Sequence, residues 1–426
     1  MHYNFYFDET FHDEKITIKS SGINTLNYDK NDSYIGVFWG FPNCKLFKIE
    51  KRLHEIEEKY KNIFQLDGEF KSTTINKKYF TYGLHSFNKN TFNFYRDFFE
   101  SLNQINPVIH VNSMSKIEML LRYILSVNEK YLLTSGYREL FYYSLTKFII
   151  TYHNSALIES LNYAIENENH EIFINELINE LRSISSQTKG IPRKERESPK
   201  FEELATILGN FEYINPISSK YNFLYNQNFI GFEYLMNELK IPLKKINLKI
   251  DNHDKTYAVA KKYSFCKIKN INSIDSISIR VADHLCGFIG RMMNSLSNEL
   301  FIQKNTISDV FNIAQNELSP RKLLNEKWFV LNAEQFNLYK IICSALICKQ
   351  QSYWTTMSGA YADQMCIFYC FINYINTYND YTQYSSVSTP NHIENYNVVC
   401  IEKLESFYNS FFTSDLDKFY GDDIYD

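Results

Sequence analysis

The feature that most constrains this chain is a strand-like run, KINLKI at residues 245–250, that returns long after the other strand-like segments have ended. Its alternating apolar residues demand a sheet with one buried face. The neighbours it needs lie near the beginning: HYNFYFDET to residue 10, EKITIKS at 14–20, YIGVFW at 34–39 and PVIHV at 107–111. A sheet assembled from pieces this far apart implies a discontinuous core with an insertion. The first three runs, separated by polar turns, predict an antiparallel meander. Ile49, Leu53, Ile56, Tyr60 and Ile63 recur at helical spacing, as do Phe94, Tyr95, Phe98, Phe99 and Leu102, so two helices are expected to cover the sheet.

From about residue 114 to 240 the pattern is almost wholly helical, broken by SSQTKGIPRKERESPK at 185–200, whose Gly, prolines and charges predict a mobile loop. After KINLKI come a short helix near 255–263, the extended FCKI at 265–268 and a strongly apolar helix near 277–297. Beyond residue 300 a helical lobe is expected, with WFVL at 328–331 as a short extended piece and a frayed acidic end. The expected fold class is therefore α/β. The core comprises 1–112 and 241–300, the helical insertion 113–240 and the helical C-terminal lobe 301–426.

Composition narrows the class. A chain of 426 residues with 44% hydrophobic content can bury a large core. No leader-like opening and no apolar run of bilayer length stands out, so a cytoplasmic protein without a membrane span is expected. Eight scattered cysteines, with Cys343, Cys348, Cys366 and Cys370 in apolar stretches, argue for small buried hydrophobes rather than disulfides or structural zinc. A formal charge of −4 gives no global polyanion signature, so nucleic-acid binding would need a local basic surface. No Walker loop, dinucleotide fingerprint, nucleophile elbow or HExxH occurs.

Four carboxylates carry the chemistry. Asp8 and Asp251 each end a strand-like run, where open sheets place their sites. Glu69 sits in DGEFKS, with Lys71 on the same side of an extended segment, free either to neutralise the acid or to meet a substrate phosphate. Asp283 lies in an apolar helix, on one stripe with Gly287, Gly290 and Asn294. That stripe suits either close approach to a metal cluster or close helix packing. Unpaired acids in apolar settings need compensation, and Mg²⁺ or Mn²⁺ takes carboxylate oxygens. Asp8, Glu69, Asp251 and Asp283 are thus the expected metal ligands and catalytic residues of a two-metal site, its ions about 3.5–4 Å apart. Glu9, Lys71, His253 and His284 are expected around them.

Lys244, Lys245, Lys249, Lys255, Lys261 and Lys262, followed by Lys267 and Lys269, form a basic stretch beside Asp251. It suits a phosphate track for nucleic acid, and equally a solvated lysine-rich face. The loop residues Arg193, Lys194 and Arg196 are offset by Glu195 and Glu197 and read as a surface linker.

The series FYFDET, Glu69-Phe70-Lys71, a strand ending in Asp251 and IRVADHLCGFIGR resembles the bacterial domain-of-unknown-function family 3800. Thr10 stands where that family usually carries Ser, and Phe11 where Gly usually follows. The resemblance covers residues 1–112 and 241–297 and implies an RNase H-like mixed sheet and a metal-dependent nuclease, often in antiviral or mobile-element defence. Two functions are expected from different classes. One is a phosphodiester hydrolase acting on RNA or DNA. The other is a non-catalytic RNase H-like subunit that binds nucleic acid or assembles a defence complex, with helical lobes engaging a protein partner or a second copy.

Overall fold

Eight residues with aromatic side chains on both faces form the central strand β1, Tyr3–Thr10. Phe5 and Phe7 point to one side and Tyr6 to the other, and all three are fully buried, so both faces must be covered. The computed structural model describes residues 1–10, 33–126, 138–167, 170–191, 197–211, 224–300, 323–348, 352–356 and 359–413, with 18–19, 22–23, 132 and 194. Five further strands complete a mixed sheet: β2 Ser33–Pro42, β3 Val108–Ser115, β4 Ile246–Asp251, β5 Lys267–Ile271 and β6 Ser352–Thr356. Their order is β5-β4-β1-β2-β3-β6.

β1 pairs antiparallel with β2, from Tyr3 opposite Pro42 to Thr10 opposite Ile35, and parallel with β4, from Tyr3 beside Ile246 to Phe7 beside Ile250. The expected three-strand meander does not form among the described residues. Ile18–Lys19 pairs with Gly22–Ile23 in a separate ladder, and β1 meets β2 directly; residues 14–17 and 20 of that run lie outside the described residues.

One face, bearing Tyr6, Val37, Trp39 and Phe41, is covered by α1 Leu46–Phe64, α2 Lys89–Ile105 and a long helix, Ile277–Leu300, numbered α10 below. The stripe on α1 buries Ile49, Leu53 and Tyr60, whereas Ile63 is exposed near the end of the helix. Asn88 caps α2 by accepting from the Thr91 N–H at 2.8 Å, and left-handed Asn106 ends it.

Between β3 and β4 run α3 Lys116–Ile124, α4 Arg138–Tyr152, α5 Ser155–Asn167, α6 Glu171–Thr188, α7 Ser198–Gly209 and α8 Gln227–Glu238. α3 to α7 bury their own core around Leu145, Phe148, Leu177, Leu181 and Phe201. The loop expected over 185–200 is shorter than that: α6 continues to Thr188, α7 starts at Ser198, and Ser185 and Thr188 are buried. Lys194 is also buried; Arg193 and Arg196 lie outside the described residues. α8 lays Phe229 and Phe232 on the second sheet face, where the Phe232 and Phe38 rings stack 4.4 Å apart. α9, Asp254–Ala260, crosses that same face between parallel β4 and β5.

The C-terminal segment contributes β6 to the sheet, beside β3, and α11 Ala333–Leu346, α12 Gly359–Asn376, α13 Tyr381–Ser385 and α14 Thr389–Thr413. WFVL is not extended: a 3₁₀ turn spans Glu326–Trp328 and drives Trp328 and Phe329 into the core. Cys348 is exposed, unlike buried Cys343 and Cys370. The acidic end lies outside the described residues. Among the described residues no helix is long and apolar enough to cross a membrane.

Candidate active site

Because β1 and β4 are parallel and in register up to Phe7 and Ile250, Asp8 and Asp251 lie side by side where that pairing ends, Asp8 still paired with Val37 of β2 and Asp251 with Ile271 of β5. They also share a face. Two residues earlier, the Lys249 ammonium lies 4.9 Å over the Tyr6 ring, and the period-2 alternation carries Asp8 and Asp251 to that side. α10 crosses there, with the Cys286 thiol donating to the Asp8 carbonyl at 3.0 Å and Asp283 one turn before Gly287.

Asp8 is buried, 9% exposed, and its Oδ1 accepts the Glu9 N–H at 2.7 Å. Burial, then the charges of Asp283 and Asp251, push its carboxyl well above the usual range. Among the described residues no basic side chain pairs with it. The Asp251 carboxyl is raised too, first by burial and then by Asp283 and Glu69, against the lowering effects of Lys71 and the Ser273 N–H.

Glu69 accepts from the Ser273 hydroxyl at 3.3 Å and pairs with Lys71 at 3.0 Å. Burial alone would lower the Lys71 pKa; its bond to Glu69 and the charges of Glu69, Asp251 and Asp283 outweigh that and raise it. Asp251 and Asp283 thus link the two ends of the group, acting on Asp8 on one side and, with Glu69, on Lys71 on the other. Asp283 has both oxygens engaged by Ser72, Oδ2 by the N–H at 2.6 Å and Oδ1 by the hydroxyl at 2.7 Å.

The surrounding residues divide by face. Glu9 follows Asp8 and so points to the opposite side, where it accepts from the Tyr34 hydroxyl and, at 3.4 Å, from Thr256. His253 lies with it, 3.5 Å from Glu9, capping α9 through Thr256. Neither joins the four acids. His284 packs among Phe70, Phe94 and Phe98, and its Nε2 bonds the Phe70 carbonyl at 3.0 Å. Burial holds its imidazole below the usual His range despite Asp283.

The basic stretch is divided as well. Lys249, with Lys267 and Lys269 on neighbouring β5, lies on the acid face. Lys255, Lys261 and Lys262 belong to α9 and its end on the other face, and Lys244 and Lys245 precede β4 at its far end. Strand alternation and the crossover of α9 break the linear run into separate patches.

Comparison with protein-family models, curated proteins and solved structures yields no match. The site stands on its geometry. Its donors are hard oxygens, suited in kind to Mg²⁺ or Mn²⁺. Among the described residues, however, no three His, Cys, Asp or Glu side chains converge closely enough to hold an ion. Asp283 is committed to Ser72, and Glu69 to Lys71 and Ser273. The two serines escape sequence reading because Ser carries no periodic or charge signal.

Proposed function

We propose that this chain is a divalent-metal-dependent nuclease that hydrolyses phosphodiester bonds in RNA or DNA, built on an RNase H-like core as the resemblance to family 3800 implies, and used in antiviral or mobile-element defence. The observation that carries this reading is Asp8: a carboxylate buried near the end of the central strand, facing two like charges and, among the described residues, without a paired cation. Such an arrangement is costly while the acids are all ionised, and either a bound proton or a metal ion relieves it. Mg²⁺ or Mn²⁺ would supply a nucleophilic water at neutral pH and stabilise the leaving oxygen. Asp8 and Asp251 have the oxygens to hold it, with Glu69 and Asp283 contributing if their present bonds are exchanged.

The chain's own part is orientation and charge. Lys71, at 42% side-chain exposure, is the cation that would meet a substrate phosphate beside the acids. Lys267 and Lys269 extend positive charge along the same face, where phosphate contacts supply sequence-independent affinity.

The test is cleavage of end-labelled RNA and DNA with Mg²⁺, Mn²⁺ or EDTA, wild type beside Asp8→Asn. Metal-dependent cutting by wild type, at least ~100-fold weaker in the variant, is expected. Undiminished cutting by Asp8→Asn removes Asp8 from the mechanism. The second reading, a non-catalytic binding or assembly subunit, is favoured by the commitment of Asp283 to Ser72. Equal, metal-independent nucleic-acid binding by both proteins without cutting would establish it instead.

A further inference from the structure

We infer that Ser72 and Arg291 are positioning residues, through which α10 fixes the segment carrying Glu69 and Lys71 beside the other carboxylates. The stripe Asp283, Gly287 and Arg291, spaced by four residues on α10, meets that segment along its length. Asp283 takes the Ser72 N–H and hydroxyl. Arg291 donates to the Ser72 carbonyl at 2.6 Å and the Ile75 carbonyl at 2.8 Å, its guanidinium lying 5.2 Å over the Phe80 ring. His284, on the neighbouring stripe, holds the Phe70 carbonyl.

Gly287 makes the contact possible. A Cβ there would lie 2.4 Å from the Ser72 Cβ and 2.5 Å from its hydroxyl oxygen, so any side chain displaces Ser72. The segment's own regular structure is one 3₁₀ turn, Ser72–Thr74, too short to hold its place alone. Lys71 therefore lies between two residues anchored by α10, and Asp283 couples that anchorage to the charge around Asp8.

The assignment of a substrate phosphate to Lys71 rests on the nuclease reading; the clamp itself does not. Both are tested on the full chain with Arg291→Gln, Ser72→Ala, Gly287→Ala and the conservative Arg291→Lys. The readouts are amide exchange over residues 69–75, acetylation of Lys71 by acetic anhydride, and kcat and KM on labelled nucleic acid. Exchange over 69–75 is expected to rise at least ~10-fold in Arg291→Gln and Ser72→Ala, with the α1 and α2 peptides unchanged. Faster labelling of Lys71 and a higher KM with a smaller change in kcat should accompany it, and Arg291→Lys should recover part of each. If Gly287→Ala fails to fold, the other variants still decide. Unchanged exchange and labelling in Arg291→Gln and Ser72→Ala overturn the inference whatever the activity. A rise in both, in a protein whose wild type cuts nothing, leaves the clamp standing and defeats the nuclease reading alone. An active protein whose variants exchange faster but keep wild-type KM and kcat refutes the positioning role.

Discussion

Arg280 and Asp283 stand less than one turn apart on α10, in very different surroundings. Arg280 is buried and forms a bidentate pair with Glu57 through Nε and Nη2, while Nη1 donates to the Ser273 and Ile274 carbonyls. Asp283 lies over a group of its own sign: Asp8 and Asp251, both raised by burial and by its charge. Ser273 serves both regions, its carbonyl accepting from Arg280 and its hydroxyl donating to Glu69. The first arrangement is accounted for by folding, since every charge has its counterpart. The second is not, and mutually repelling acids at strand ends are where chemistry is to be sought.

The largest effect should come from breaking the matched region. Arg280→Met leaves Glu57 buried without its partner and is expected to cost about 3–5 kcal/mol in urea unfolding. A loss below ~1 kcal/mol would mean that the pair does not hold the fold together.

Asp8→Asn should act in the opposite direction. Burial and the charges of Asp283 and Asp251 raise the Asp8 pKa above its unfolded value, so the folded state holds that proton more tightly. The stability this supplies is complete below the unfolded pKa, about 4, and is lost as pH rises through the folded one. At pH 7–8 the variant is expected to be about 0.5–2 kcal/mol more stable than wild type, a gain that vanishes in thermal melts below about pH 4. Equal stability across that range would show that the repulsion is already relieved.

The smallest effect sharpens the contrast. Lys59 and Asp97 pair at 2.6 Å, as closely as Arg280 and Glu57, but Lys59 is 53% exposed. Lys59→Ala should change stability by less than ~1 kcal/mol in the same unfolding assay, because water screens the pair. Burial, rather than distance, separates the three cases.

Much of the frame was legible because local pattern and tertiary role coincide. The aromatic run to Asp8, the alternation of KINLKI and the apolar helix from Ile277 each fall on an element of the same kind. What stayed hidden depends on partners remote in sequence. SYWTT carries too little alternation to be recognised as a strand, and becomes one by pairing beside Ile109 to Ser113. Glu57 reads as a surface residue of α1 until Arg280 meets it. Asp8, Asp251 and Asp283 were legible as acids in apolar settings and share one charge neighbourhood, but the bonds from Ser72 to Asp283 are visible only in three dimensions. Nearness in sequence is not a shared face at Glu9, His253 and the lysine stretch, where alternation or a crossover carries adjacent residues to opposite sides.

The pairing of β1 with β4 also governs how the chain comes off the ribosome. One edge of β1 has its partner within residues 33–42, but the other waits for residues 246–251. At about 5–20 residues per second, that interval is roughly 12–50 s. Throughout it an aromatic strand presents an open hydrogen-bonding edge, the kind of surface that recruits other strands. The helices of the insertion, whose contacts are local, can close around their own core in the meantime. The group of acids, which needs β1, β4 and α10, thus comes together only late in synthesis.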